Sequence, residues 1–488
     1  MPGVPEIRIS NLNSAPLQPE GDFVLYWMIA FRRTRWNFAL DRAIEWARKL
    51  GKPLLILEAL RCDYRWACER FHRFVLDGMA EKLRRLSANA GVRYYPYVEP
   101  APGQSRGLLG ALAARSCLVV TDDYPCFFLP RMVHLAARAI PVRLESVDSN
   151  GLLPLRAADR SFVTAYSFRR FLQRNLPAHL FHFPQRNPLA RLALPSLKSI
   201  PRDIERKWPP SSLAMLENAD SVSHLPIDHA IGPAPIQGGE LAGQHALRRF
   251  LSEKLGGYSD SRNHPDSDSA SGLSPYLHFG HISAHQTFYE LTQREKWSPA
   301  RLALRSNGSR SGWWGLSRPA EEFLDQLVTW RELGFNSCTR CSEYDRYDSL
   351  PGWARETLER HARDKREHCY SLADFAAART MDPLWNAAQR QLISEGRIHN
   401  YLRMLWGKKI LEWSPSPRRA LQVMIELNNR FALDGRDPNS YSGIFWCLGR
   451  YDHPWGPERP VFGTVRYMSS RNTARKFHLK EYLARYAG

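Results

Sequence analysis

The chain has 488 residues, enough for two or three domains at ~150 residues each, and can bury a large core without disulfide staples. It carries 68 Lys+Arg against 49 Asp+Glu, a formal charge of +19, which points to a polyanionic partner, and 15 Trp, 19 Tyr and 22 Phe give it a heavy aromatic load. With 43% hydrophobic and 24% charged residues, no apolar run near ~18 residues and no basic-then-apolar leader, a disordered, fibrous, membrane-spanning or secreted protein is not expected, and a soluble cytoplasmic one is.

Along the chain, Phe23–Trp27 reads as a buried strand, 37–50 as an amphipathic helix and 53–57 as the next strand. The pattern continues with a helix over 68–89, a strand over 92–98, a helix over 109–114, a strand over 118–121, a helix over 131–139 and a strand over 141–145. This alternation predicts a doubly wound parallel sheet with helices on both faces, an α/β domain over residues 20–155. Ligands of such sheets sit at the carboxyl ends of the strands, here 27–35 and 121–125, and no GxGxxG or GxxxxGK[ST] supports a phosphate loop. Residues 156–240 read as a long connector whose later part is dense in proline, with Pro195, Pro201, Pro209, Pro210, Pro226, Pro233 and Pro235 among Ser, Asn and Gly. From 241 to 480 helical periodicity takes over, with helices predicted over 246–254, 319–333, 352–363, 383–395, 397–413 and 420–431 and no solenoid repeat.

Eight cysteines are scattered without framework spacing, which suits a reducing compartment. Cys338-Thr-Arg-Cys341 has metal or redox spacing but no second pair and no histidine at finger distance, so it reads as two loop thiols, and no metal is expected.

Several strings in fixed order carry a family resemblance: Leu273-Ser-Pro-Tyr-Leu-His-Phe-Gly280, Asp382-Pro-Leu-Trp-Asn386, Arg397-Ile-His-Asn-Tyr-Leu-Arg-Met404, Lys409-Ile-Leu-Glu-Trp413, Leu433-Asp-Gly-Arg-Asp-Pro-Asn439 and Glu458-Arg-Pro-Val-Phe-Gly463. Together with Val24-Leu-Tyr-Trp27 and Arg363-Asp-Lys-Arg366 they resemble the class II cyclobutane pyrimidine dimer photolyases over about residues 22 to 480. The resemblance implies an α/β antenna domain, a connector and an all-α FAD-binding domain, and a monomeric enzyme that splits dimers in ultraviolet-damaged DNA by light-driven electron transfer from reduced FAD, associated with the nucleoid through its DNA.

Residue by residue, the resemblance places the flavin against Tyr258, the turn Ala270-Ser271-Gly272-Leu273-Ser274, Asn428 (at the flavin N5), Asp434 and Asp437. Small hydroxylated residues before a helix start can serve a pyrophosphate, and Asp434-Gly435 and Asp437-Pro438 read equally as helix-ending turn residues. Trp406 is implied as the indole nearest the flavin, Trp385 as its surface-ward partner and Trp413 as a side branch, although each ring taken singly also reads as core. Asn400 and Met404 fit dimer-contacting positions, Trp330 and Trp446 the aromatic walls, and Arg262, Asn263, Arg450 and Trp455 the DNA or pocket mouth.

Two departures stand out. Where cyclobutane dimer photolyases place a glutamate on the dimer, this chain has Gln326, an amide in place of a charge. The (6-4) photolyases also place glutamine there but pair it with histidines where this chain has Asn400 and Met404, so the cyclobutane dimer is the expected substrate. The segment 28–35, where a deazaflavin or folate antenna would be expected, departs from the usual charged, Gln-containing stretch. A cryptochrome-like photoreceptor, an altered lesion preference and a purely charge-driven nucleic-acid binder are the competing readings.

Overall fold

Phe23–Trp27 offers no polar residue to a solvent face, and the strand it forms, β2, is buried at all five positions. Such runs belong in the middle of a parallel sheet. β2 pairs in parallel with β3 (Leu54–Leu60), Val24 opposite Leu54, and with β5 (Ser116–Asp122), Tyr26 opposite Val120. β4 (Val92–Val98) and β6 (Leu144–Val147) extend the sheet on either side. A sixth strand, β1 (Ile9–Asn11), closes one edge antiparallel to β6 and completes the order β1-β6-β5-β2-β3-β4. β1 has no signature in the sequence because three partly exposed residues give no alternation to read. The structure, a computed structural model, describes residues 3–487.

The crossover helices are α1 (Phe38–Leu50), α2 (Glu69–Leu86), α3 (Leu108–Ala113) and α4 (Leu129–Ala139). α1 starts where Asn37 Oδ1 accepts the N–H groups of Ala39 and Leu40, at 3.0 and 3.3 Å, and stops at Gly51, whose φ of 61° lies in the left-handed region. At the carboxyl ends of the strands, Asp122 Oδ2 accepts three successive N–H groups, from Ile29, Ala30 and Phe31 at 2.9, 2.7 and 2.8 Å, while the Tyr26 hydroxyl donates to Oδ1 at 2.7 Å. The chain's own carboxylate thus fills the anion-binding concavity that those amides form.

The chain divides into two compact units. The first holds the sheet together with residues 178–247 and 273–290. Its proline-rich stretch is tied down: the Ser211 N–H donates to the Pro96 carbonyl at 2.8 Å and the Trp208 indole N–H to Gln104 at 2.8 Å. The second unit holds residues 158–177, 248–272 and those from Leu291 onward, and its regular elements are all helices. Those used below are α5 (Ala165–Asn175), α6 (Arg331–Arg340), α7 (Pro383–Glu395), α8 (Asn400–Trp413), α9 (Pro417–Phe431) and α10 (Pro438–Trp446). Close helix contacts rest on small residues: a Cβ on Gly334 of α6 would lie 2.8 Å from the Pro438 carbonyl, and one on Gly407 of α8 would lie 2.5 Å from Cys447 Sγ. Among the described residues no helix is long and apolar enough to cross a membrane, and no three His, Cys, Asp or Glu cluster as metal ligands.

Candidate active site

Asp382 caps α7, its Oδ1 accepting the Leu384 and Trp385 N–H groups at 3.0 Å each, and so fixes Trp385 in the first helical turn. On α8, Trp406 and Trp413 are seven residues apart and share a face. The Trp385 and Trp406 rings stack with centroids 6.4 Å apart and planes 3° from parallel. Two hydrogen bonds lock the pair: Trp385 Nε1–H donates to the Trp406 carbonyl at 3.1 Å, and Trp406 Nε1–H donates to Gln389 Oε1 at 2.9 Å. Both rings are buried, Trp385 completely, so Trp385 does not itself reach the surface. The aromatic path continues from Trp385 edge-on to Trp413, at 6.1 Å, and from Trp413 edge-on to Tyr370, at 5.6 Å. Tyr370 is partly exposed, and its N–H donates to the Trp413 carbonyl at 3.2 Å.

The turn between α9 and α10 gathers polar groups. Asn428, 2% exposed, donates from Nδ2 to Ser440 Oγ at 2.6 Å and to Asn429 Oδ1 at 3.3 Å, while its Oδ1 accepts nothing from the described residues. Both oxygens of Asp434 accept from Arg403 Nη2 of α8, at 2.9 and 3.2 Å. Asp437 caps α10 by accepting the Asn439 N–H at 2.9 Å. Gln389 is fully buried, and its Nε2 has no partner among the described residues. Tyr258 is buried in the second unit, which pushes its phenol pKa up and keeps it protonated, and the Arg262 guanidinium lies 5.4 Å from its ring. Asn263, Ala270 and Ser271 are partly exposed, and Gly272 is exposed with φ at 69°. Leu273 and Ser274 are counted with the first unit, where Ser274 opens a short helix to His278.

Gln326 and Trp330 lie on a π-helical segment, Asp325–Trp330, between the helix Arg318–Leu324 and α6. They are the two residues of that segment that are not buried, and therefore form its open face. On α8 the positions 400, 404 and 408 descend inward: Asn400 is exposed, Met404 half-buried and Lys408 fully buried. Lys408 Nζ donates to the Cys447 carbonyl at 2.7 Å and lies 5.1 Å from the centre of the Trp446 ring. Arg466 links two further predicted positions, lying 5.8 Å from the Trp446 ring and 4.7 Å from that of Trp455, which is 38% exposed. Arg450 is different. It is 6% exposed, packs on Phe445 at 3.8 Å and donates to the Tyr344 and Ser349 carbonyls at 3.2 Å each. Its donors serve the protein's own backbone, so the expectation that it faces DNA is corrected to a role in holding the segment that follows α10.

No family model matches the chain. It is 36% identical over 482 residues to a deoxyribodipyrimidine photo-lyase of Methanothermobacter thermautotrophicus, covering 99% of this chain and 98% of that one. The chain belongs to the deoxyribodipyrimidine photo-lyase family, and is a light-dependent DNA-repair enzyme. Photo-lyases of Oryza sativa subsp. japonica, 34% identical with 98% and 90% of the two chains covered, and of Potorous tridactylus, 32% identical with 96% and 81% covered, agree. A bacterial class III photolyase of Agrobacterium tumefaciens shares the fold, with a TM-score of 0.68 over 98% of this chain and 87% of that one at 18% identity. Similarity to a chicken cryptochrome-2 is confined to 226 residues, 44% of the chain, at 27% identity.

For this photo-lyase, sequence reading finds the indoles but misses Tyr370, which lies outside any helix and so has no periodic partner to mark it. It also misses Lys408 and Arg403, whose sequence neighbours suggest an ordinary charged helix face. Only the packing of α8 against its neighbours shows that one lies under Trp446 and the other against Asp434.

Proposed function

We propose that the chain splits cyclobutane pyrimidine dimers in ultraviolet-damaged DNA with FAD as its redox cofactor, and that it is of the class II type its sequence strings resemble. The observation that carries this reading is the buried, parallel Trp385–Trp406 pair with its outlet through Trp413 to Tyr370. A buried stack of this kind gives a helical domain a route for electrons between its interior and the surface.

The residues present fit a flavin. Asn428, a buried residue, keeps an unspent acceptor in Oδ1, and Gln389 Nε2 is a buried donor without a partner among the described residues; a ring with both N–H and carbonyl groups would satisfy such atoms. Asn428 and the Arg403–Asp434 pair would hold that ring, and Tyr258 with the turn 270–272 would hold its phosphates. When bound and reduced, FAD supplies the photoexcited electron that opens the dimer. Trp330 and Trp446 provide faces for a flipped-out dimer, each stacking contact offsetting unpairing by about 1–3 kcal/mol. Met404 gives an apolar wall, Asn400 a polar rim and Gln326 an uncharged amide able to donate to a pyrimidine carbonyl. Lys408 holds Trp446 in place from beneath and adds a positive charge near a dimer that carries extra negative charge. Arg262, Asn263, Trp455 and Arg466 serve the DNA around the pocket.

The test is direct. Purified protein should carry FAD, seen in its visible spectrum, and should remove dimers from ultraviolet-treated DNA under blue or near-ultraviolet light but not in the dark. Equal dimer content in lit and dark samples of flavin-loaded protein would overturn dimer repair and favour a photoreceptor or an altered lesion preference.

A further inference from the structure

The positive charge of the second unit includes a part that the lesion pocket does not use. From Arg160 to Pro177 there are four arginines and no acidic residue, and from Lys296 to Ala320 there are one lysine, four arginines and again no acidic residue. The first stretch forms α5; the second is largely an irregular loop leading to the helix Arg318–Leu324. The two are clamped together. The Gly308 N–H donates to Gln173 Oε1 at 2.7 Å, Gln173 Nε2 donates to the Ser309 carbonyl at 3.0 Å, and a Cβ on Gly308 would lie 2.8 Å from the Tyr166 ring. The loop tip therefore cannot swing freely, and Arg310 next to it is held at a fixed place.

The surface so formed is basic and unpaired. On α5, Tyr166, Arg170 and Arg174 are exposed at i, i+4 and i+8, one face of the helix, and on the loop Arg305 and Arg310 are exposed. Among the described residues none of Arg170, Arg174, Arg305 and Arg310 has a carboxylate partner, whereas Arg318, at the loop's end, pairs with Glu322 at 3.1 Å. Behind them Arg169, 6% exposed, spends Nε on Asp325 Oδ1 at 2.8 Å but leaves Nη2 without a partner among the described residues. Arg169, Gln173, Ser309, Arg310 and Asp325 line a small, open cleft. Asp325, Val328 and Thr329 of the π-helical segment line this cleft, while Gln326 and Trp330 of the same segment are presented on its other side, so one continuous segment carries both the cleft behind the basic face and the lesion-facing residues.

We infer that the face built from α5 and the loop 302–317 is a second contact for the phosphate backbone of the DNA that carries the lesion. Four uncompensated guanidinium groups beside an exposed tyrosine match a polyphosphate in charge and in hydrogen-bond geometry, and continuity with the Gln326–Trp330 segment makes the same duplex the occupant. The inference rests on the DNA-repair reading for the identity of that polyanion.

The experiment compares salt titrations of binding for the full chain and for the R170Q/R174Q/R305Q/R310Q variant. The probes are duplexes of about 10 and about 30 base pairs, each with one thymine dimer. Each phosphate contact contributes about 0.9 to the slope of log K against log salt, so losing four should lower the slope on the long duplex by about 3.6 and weaken binding at least about tenfold. The short duplex should bind both proteins alike. The corresponding four Arg→Lys changes should restore the slope, and the loop pair R305Q/R310Q, which leaves α5 intact, should lower it by about 2. An unchanged slope on the long duplex, or equal losses on both duplexes, would overturn the inference. Light-driven repair of the short duplex is read in the same preparations. Its absence in the unsubstituted chain would sink the repair reading while the slope comparison still decides this one.

Discussion

The Trp385 and Trp406 rings lie 3° from parallel, and each indole N–H is satisfied, one by the other residue's carbonyl and one by Gln389. Two aromatic rings in contact within a core usually settle edge-on or offset with their polar ends wherever a partner offers itself. Here the stack is held by donors from both members. A fixed orientation of this kind suits electron transfer, whose rate depends on ring distance and alignment.

Trp406→Phe should therefore slow photoreduction by about tenfold or more, a barrier rise of at least ~1.4 kcal/mol, while leaving dimer repair by chemically pre-reduced protein intact. Trp385→Phe should do the same and cost ~1–2 kcal/mol of stability, because it loses the bond to the Trp406 carbonyl and some packing. Flash photolysis and denaturant unfolding read the two effects. Unchanged photoreduction in both variants would show that the route lies elsewhere.

How far this site was legible in the sequence differs from residue to residue. The all-apolar run 23–27 leaves only a central strand as its reading, and the amphipathic spacing over 37–50 reads as a helix, so the sheet and its first helix follow from local chemistry. The seven-residue spacing of Trp406 and Trp413 puts both on one helix face, but neither stacks on the other. The stacking partner comes from α7, a tertiary fact that no local period encodes. Gln326 and Trp330, four residues apart, share a helix face, but that the helix there widens to a π turn is something residue types alone do not announce. Arg450 reads as a DNA-facing cation until its carbonyl partners are known.

Gln326→Glu should raise dimer repair. A carboxylate forms charge-assisted hydrogen bonds stronger than an amide's by about 1 kcal/mol, or about fivefold in rate if that difference is expressed only in the transition state. The variant keeps the side-chain shape and faces the same opening. The check is repair yield per absorbed photon at saturating damaged DNA. An equal yield would show that the charge is not used here, and that Lys408 or another group compensates.

Asp434→Asn should weaken flavin retention. The aspartate is mostly buried and both its oxygens accept from Arg403, so the amide would leave a nearly buried guanidinium short of its charge partner, at a cost of about 1–3 kcal/mol. The flavin-to-protein absorbance ratio after gel filtration and the thermal midpoint should both fall. A lowered midpoint with full flavin retention would assign the pair to structure alone.

Lys408 gives a prediction in pH. Burial, its largest influence, pulls the ammonium pKa down to about 8, against ~10.4 for a lysine in an unfolded chain. Between those values the unfolded chain holds a proton that the folded chain has released, so Lys408 makes the protein more stable as pH rises from about 8 to about 10. The gain is at most about 3 kcal/mol. Below pH 8 both states carry the charge, and the full desolvation cost is borne by the fold. Lys408→Met removes this dependence while other groups cancel in the comparison. The unfolding free energy of the unsubstituted protein should therefore climb relative to that of the variant as pH is raised through this window, as read by urea denaturation at several pH values. Parallel curves would show that the ammonium keeps its ordinary affinity for protons in the fold. Across the same window, dimer repair by pre-reduced protein should decline only where Lys408 is present, because the cation beneath Trp446 is then lost.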